Sequence, residues 1–159
     1  MVGGLPGVGK TTVARAVAGR LPAAHLRIDT FEAALVRLDL VGEVGAEGYE
    51  LALAAADTCL TAGTDVVVDA VFDVAAARRP FRDLGARHGV AVHWVRLICT
   101  DRAEHERRVT GRAADLAGHT VPTWAAVRAR RVDQWHERHT VVDTAVGDPV
   151  AAVLSALGR

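Results

Sequence analysis

Gly4-Leu5-Pro6-Gly7-Val8-Gly9-Lys10-Thr11, three residues in from Met1, fits the pattern G-x-x-x-x-G-K-[ST], a loop whose main-chain amides cradle phosphate. The lysine is the informative letter. Of the 19 Lys and Arg residues in this 159-residue chain, 18 are arginine, and Lys10 is the only lysine. Arginine is a planar fork; lysine is a compact point charge on a flexible stem, the shape that reaches β- and γ-phosphates from inside a tight loop. With 15 glycines available, chance placement of the two glycines and the hydroxyl around that one lysine runs on the order of 1 in 1,000. The competing reading is a glycine-rich helix start that binds nothing.

The motif demands a strand before it and a helix after it. Residues 11–21 put Val13, Val17 and Leu21 on one helical face, and Pro22 follows as a stop. Met1-Val2-Gly3 is short for a buried strand, so either the first strand is a stub or residues before Met1 belong to it. Further along, apolar runs alternate with helical patterns. Strands are expected over residues 25–28, 66–68, 90–98 and 141–142. Helices are expected over residues 30–38, 48–62, 75–88, 101–110, 123–138 and 150–157. Such alternation implies right-handed crossovers and a five-stranded parallel sheet with helices on both faces, a three-layer α/β fold. No linker divides the chain, so one domain spans residues 1–159.

Composition bounds the partners. The chain is 50% hydrophobic and 24% charged with zero formal net charge, which argues against long nucleic acids. No apolar run approaches the ~20 residues of a bilayer span, and no signal peptide precedes the glycines. A cytoplasmic protein with two reduced, packed thiols, Cys59 and Cys99, is the expectation. The oligomeric state is open.

Function in a parallel sheet gathers at the carboxyl ends of its strands. After the first strand comes the phosphate loop: Gly4, Pro6, Gly7, Val8, Gly9 and Lys10 would surround a triphosphate, Thr11 would hold Mg²⁺, and Thr12 would reach the α-phosphate. After the second comes Asp29. It reads either as a helix cap, with Glu32 closing a capping box, or as a general base for an acceptor hydroxyl. After the third, Val66-Val67-Val68-Asp69 has the form of a hydrophobic strand ending on a carboxylate for Mg²⁺ or substrate, or a strand-end Asp that caps a turn. Phe72 and Asp73 follow on the same rim. After the fourth, Arg107, Arg108 and Arg112 lead into a glycine-broken stretch. Residues 107–122 are expected to form a lid, with Arg112 its best catalytic candidate and Arg108 the second, on the nucleotide; otherwise the run is a solvated face. Arg128, Arg130 and Arg131 on the next helix are the backups for that role, or else surface residues.

On these segments the chain resembles the small P-loop kinases that phosphorylate low-molecular-weight hydroxyl compounds, the group containing chloramphenicol phosphotransferase and gluconate kinase. Residues 4–11 match the phosphate loop, Ile28-Asp29-Thr30 the strand-end Asp, and Val67-Val68-Asp69-Ala70-Val71-Phe72 the third-strand segment. The resemblance implies ATP and Mg²⁺ as cofactors, Asp29 as base, and a small-molecule hydroxyl acceptor such as an antibiotic or nucleoside-like natural product. Asp29, Phe31, Asp69 and Phe72 would contact it. The departures are the stub of a first strand, Asp115 where a second lid arginine is expected, and an acceptor region (Phe31, Leu35, residues 39–49, Phe72) that does not match closely. The rivals are a nucleotide or sugar-acid kinase, drawing positive charge from Arg37 and Arg78-Arg79, and a nucleotide-binding regulatory module.

Overall fold

The computed structural model describes residues 1–42, 45–113, 116 and 121–159. Its five strands are β1 (Val2–Gly3), β2 (Ala24–Arg27), β3 (Val66–Asp69), β4 (Trp94–Ile98) and β5 (His139–Asp143). They form one parallel sheet in the order β2-β3-β1-β4-β5. The helices are α1 (Lys10–Arg20), α2 (Ile28–Arg37), α3 (Glu47–Thr61), α4 (Ala75–His88), α5 (Arg102–Thr110), α6 (Trp124–Ala129) and α7 (Pro149–Ala156). The expected α/β architecture with a short first strand is the one observed.

Strand periodicity of two divides the core between the faces. Val67, Val95, Leu97 and Val142 point to one side, where Val13, Ala14 and Val17 of α1 and Val153 of α7 cover them. Val68 and Trp94 point to the other, against Ala52 of α3 and Phe81 of α4. β1 is central, and from it the chain crosses to β2 at one edge. From β4 it crosses to β5 at the other edge. The loops at those two carboxyl ends therefore diverge and open a crevice over the sheet.

Two elements differ from expectation. β4 begins at Trp94 rather than residue 90, because residues 90–93 serve as the return from α4: Gly89 ends that helix at φ 65, and Val90 N–H closes onto Gly85 O at 3.0 Å. The helix expected over residues 123–138 stops at Ala129. From Arg130 the chain runs back across the carboxyl end of the sheet, stitched to the β3 exit. Asp133 N–H donates to Asp73 O (2.8 Å), and Ala75 N–H donates to Asp133 Oδ2 (2.8 Å). Of the expected lid (residues 107–122), residues 114, 115 and 117–120 lie outside the described residues. No described helix is long and apolar enough to cross a membrane. Cys59 and Cys99 form no disulfide and are half-buried, and Cys99 Sγ donates to Asp101 O (3.4 Å).

Candidate active site

The phosphate loop is shaped by three glycines. Gly4 has φ +146, and a Cβ there would lie 2.4 Å from Leu97 O. Its N–H donates to Val71 O (3.1 Å), tying the loop to the β3 exit. Gly7 and Gly9 are left-handed at φ +84 and +90, a region that costs L-residues strain. A Cβ on Gly7 would come within 2.4 Å of Val109 Cγ2, so α5 packs directly on the loop. His105, also on α5 and buried, places Nε2 2.8 Å from Pro6 O. Val8 is buried beneath. Among the described residues the Gly7 and Gly9 amides meet no protein acceptor. Gly9 caps α1 without a side-chain bond, so the amides of the helix's first turn add their positive end to the same hollow. Thr11 is half-buried and Thr12 exposed.

Lys10 Nζ donates to Leu5 O at 3.1 Å, arched over the loop. Burial pushes its pKa down to about 8; Asp69 and Asp29 oppose that, and Arg112 and Arg130 add to it. Lys10 also lines a cavity of about 360 Å³ whose other polar walls are Asp29 and Glu32 of α2, Tyr49 of α3, Asp73, Arg112 and Arg130. A larger cavity, about 690 Å³, is remote from the loop and lined by apolar side chains such as Val17, Phe81 and Val95. Its lining also carries Arg20, Asp65, His93 and Arg159, but none of the phosphate-loop residues or the carboxylates beside them.

Asp29 does not cap its helix. α2 starts at Ile28, straight off β2, with Arg27 in the cap position and no side-chain cap bond, so the expected capping box does not form. Instead Asp29 Oδ2 accepts from Arg27 NH2 (3.0 Å) and Nε (3.3 Å), and Arg112 NH2 stands 3.9 Å away. That leaves the carboxylate at the cavity wall rather than turned onto backbone amides.

Asp69 ends β3 with 2% exposure, and its Oδ2 has no hydrogen-bond partner; His25 Nε2 lies 3.4 Å from it. An orphaned buried carboxylate oxygen near the loop suits a cation. Among the described residues no cluster of three His, Cys, Asp or Glu side chains converges on a metal. Mg²⁺ bound through one carboxylate, a hydroxyl, phosphate oxygens and water needs no such cluster, and the donors Thr11 and Asp69 fit it.

Phe72 is a correction. It was expected to contact the acceptor, yet it is fully buried, edge-on to Tyr49, Phe81 and Trp94 at 5.4–5.8 Å. The β3 exit turns it inward through a left-handed φ of 52. Two hydrogen bonds brace that turn: Phe72 N–H donates to Tyr49 Oη (3.5 Å), and Arg78 NH1 donates to Phe72 O (2.9 Å). Phe31 borders a separate hollow with Arg15, Arg27 and Thr30. Arg108 does not line the cavity. It bonds Glu104 (2.7 Å) and both Oγ1 and O of Thr144, holding α5 to the loop after β5. Arg78, considered as pocket charge, is wholly buried and structural; Arg79 and Arg37 do not line the cavity. Arg130, expected as a backup or at the surface, does line it and pairs with Asp73. Glu32, Tyr49 and His105 carried no functional sequence signal; only the helical spacing of Glu32 from Asp29 pointed inward.

A sequence profile described as an AAA domain (AAA_33) matches residues 1–142. The chain belongs to this P-loop kinase family. No curated protein matches its sequence. Among solved structures it is similar to a gluconokinase from Sinorhizobium meliloti 1021 (20% identity over 99% of this chain and 90% of that one, TM-score 0.67). It is also similar to the Mycobacterium tuberculosis APS kinase, solved with AMPPNP and APS (18% identity, 99% and 93%, TM-score 0.64). A third is the Deinococcus radiodurans tunicamycin resistance protein (20% identity, 99% and 91%, TM-score 0.60). At these identities the likeness is one of fold.

Proposed function

We propose that the protein transfers the γ-phosphoryl group of MgATP to a hydroxyl of a small molecule. The observation that carries this reading is a single cavity wall bearing both Lys10, beside unbonded loop amides, and the Asp29 carboxylate. The loop amides and the α1 terminus would hold the triphosphate, with Thr11 and Asp69 holding Mg²⁺, which supplies charge neutralisation at the phosphates. The acceptor hydroxyl would lie against Asp29. Its oxygen bonds to the γ-phosphorus as its proton passes to Asp29 and the bond to the β–γ bridging oxygen breaks. Lys10 and Arg112 offset the charge that spreads over the phosphoryl oxygens. Tyr49 is no base: burial pushes its pKa up to about 12, so its hydroxyl stays protonated as a donor.

An antibiotic or nucleoside-like natural product is the preferred acceptor, supported by the resemblance and by the tunicamycin resistance protein among the neighbours. A sugar-acid or nucleotide kinase is the second reading, favoured by Arg112 and Arg130 in the cavity. The test is Asp29→Asn with γ-labelled ATP and a panel of hydroxylated antibiotics, nucleosides and sugar acids, followed by mass spectrometry. Turnover is expected to fall at least ~10³-fold with ATP affinity within a few-fold of wild type. Normal turnover by the variant overturns the role of Asp29, and absence of nucleotide binding by the wild type overturns the whole reading.

A further inference from the structure

Glu32 is a charged residue of the cavity that the assigned chemistry leaves unused and that, among the described residues, pairs with no other side chain. It stands one turn after Asp29 on α2 and lines the same cavity. Residues three apart on a helix are neighbours, ~5–6 Å between Cβ atoms, a span that adjacent substituents of one small molecule can bridge. Its route inward depends on Gly48 in the first turn of α3, where a Cβ would lie 2.4 Å from Glu32 Cγ.

The other charged lining groups are engaged. Asp29 is held by Arg27 and faces Arg112; Asp73 pairs with Arg130; Lys10 caps the phosphate loop. Glu32, among the described residues, makes neither a hydrogen bond nor an ion pair, though it is half-buried. Burial first, then the Asp29 charge, raise its pKa, with Arg130 opposing. A half-buried carboxylate with no donor is held at a cost that a donor from the ligand would remove.

Resting on the kinase reading above, we propose that Glu32 selects the acceptor. It takes an ammonium or hydroxyl donor set beside the reacting hydroxyl, and so favours amine-bearing and neutral polyhydroxy compounds over carboxylates and phosphates. An anionic acceptor would meet Asp29 and Glu32 together, and could reach Arg112 and Arg130 only by competing with the carboxylates of Asp29 and Asp73 that they face.

The test is calorimetric binding of four probes of like size to the full chain loaded with Mg²⁺ and AMPPNP: glucosamine, glucose, gluconate and glucose 6-phosphate. Glucosamine is expected to bind at least about tenfold tighter than gluconate. Glu32→Gln should remove most of that margin while changing glucose affinity by no more than about threefold. An unchanged melting temperature and AMPPNP affinity show that the variant folds. Equal or tighter binding of gluconate or glucose 6-phosphate, no binding of any probe, or an unchanged ranking in Glu32→Gln overturns the assignment. Labelled ATP added to the same probes and to the panel above separates the two readings: the expected ranking with no phosphorylated product from any compound keeps Glu32 as the selector and sinks the kinase.

Discussion

Lys10 sets the pH response of the site. Its pKa near 8 in the empty protein lies below the ordinary lysine range, because burial strips water from the ammonium. A triphosphate restores the reason to be charged, so binding above pH 8 takes up a proton. Below that pH the group is charged in both states and binding is pH-independent on this account. Affinity for MgATP should fall by up to about tenfold per pH unit above pH 8. Calorimetry in buffers of differing ionisation enthalpy would register the proton. The sign for the empty protein is opposite: between about 8 and 10.5 the unfolded chain binds more protons, so folding stability gains from this group as pH rises. Gly7→Ala should abolish nucleotide binding, since the added methyl meets Val109 at 2.4 Å and φ is +84; loss of the AMPPNP binding heat would show it. The loop was legible because amide geometry and a point charge require fixed letters at fixed spacing. Asp29 was legible as a strand-end carboxylate, but its partner was not: nothing in Arg27-Ile28-Asp29 says that the arginine folds back onto the carboxylate and displaces the cap.

The segment after α6 is the element that spacing misread. Residues 123–138 carry a helical pattern that would scatter Arg128, Arg130 and Arg131 over a surface. The backbone instead leaves the helix at Arg130 and is drawn inward by Trp135, half of a buried edge-to-face pair with Trp94 at 5.8 Å. Arg78 is the strut that makes this possible. Fully buried, it donates to Glu137 (3.0 Å), Phe72 O (2.9 Å) and Gln134 O (3.0 Å), with its guanidinium 4.8 Å over the Trp135 ring. In sequence it is one of two adjacent arginines after three alanines, and periodicity alone cannot tell which is inside. Arg78→Leu should destabilise the protein by about 3–5 kcal/mol, because it leaves Glu137 and two carbonyls without their donor. Denaturant titration measures it. Arg79→Leu, a few ångströms along an exposed face, should change stability by no more than about 0.5 kcal/mol. The remaining elements were legible within a few residues, because continuous valine runs and helix-stopping Gly63 and Gly89 leave few alternatives.

Over the whole molecule, the sheet order places β1 between β3 and β4, so the phosphate loop leaves the sheet between the β3 exit, to which Gly4 N–H ties it, and α5, which packs on Gly7. Nucleotide should therefore stabilise the domain as a unit. At a hundredfold excess over Kd, Mg²⁺ with AMPPNP contributes about 2.7 kcal/mol, or about 5–10 °C in melting temperature for a chain of this size; scanning calorimetry reads it, and a shift confined to part of the transition would show that the loop is not coupled to the core. Of the three tryptophans, Trp94 and Trp135 are locked together inside, while the Trp124 ring stands 5.0 Å from His105. That imidazole in turn holds Pro6 of the loop. The protein thus carries a built-in optical gauge. Indole emission from position 124 is therefore expected to shift when Mg²⁺ and AMPPNP fill the loop, and a fluorescence titration, with no attached dye, would register occupancy in real time.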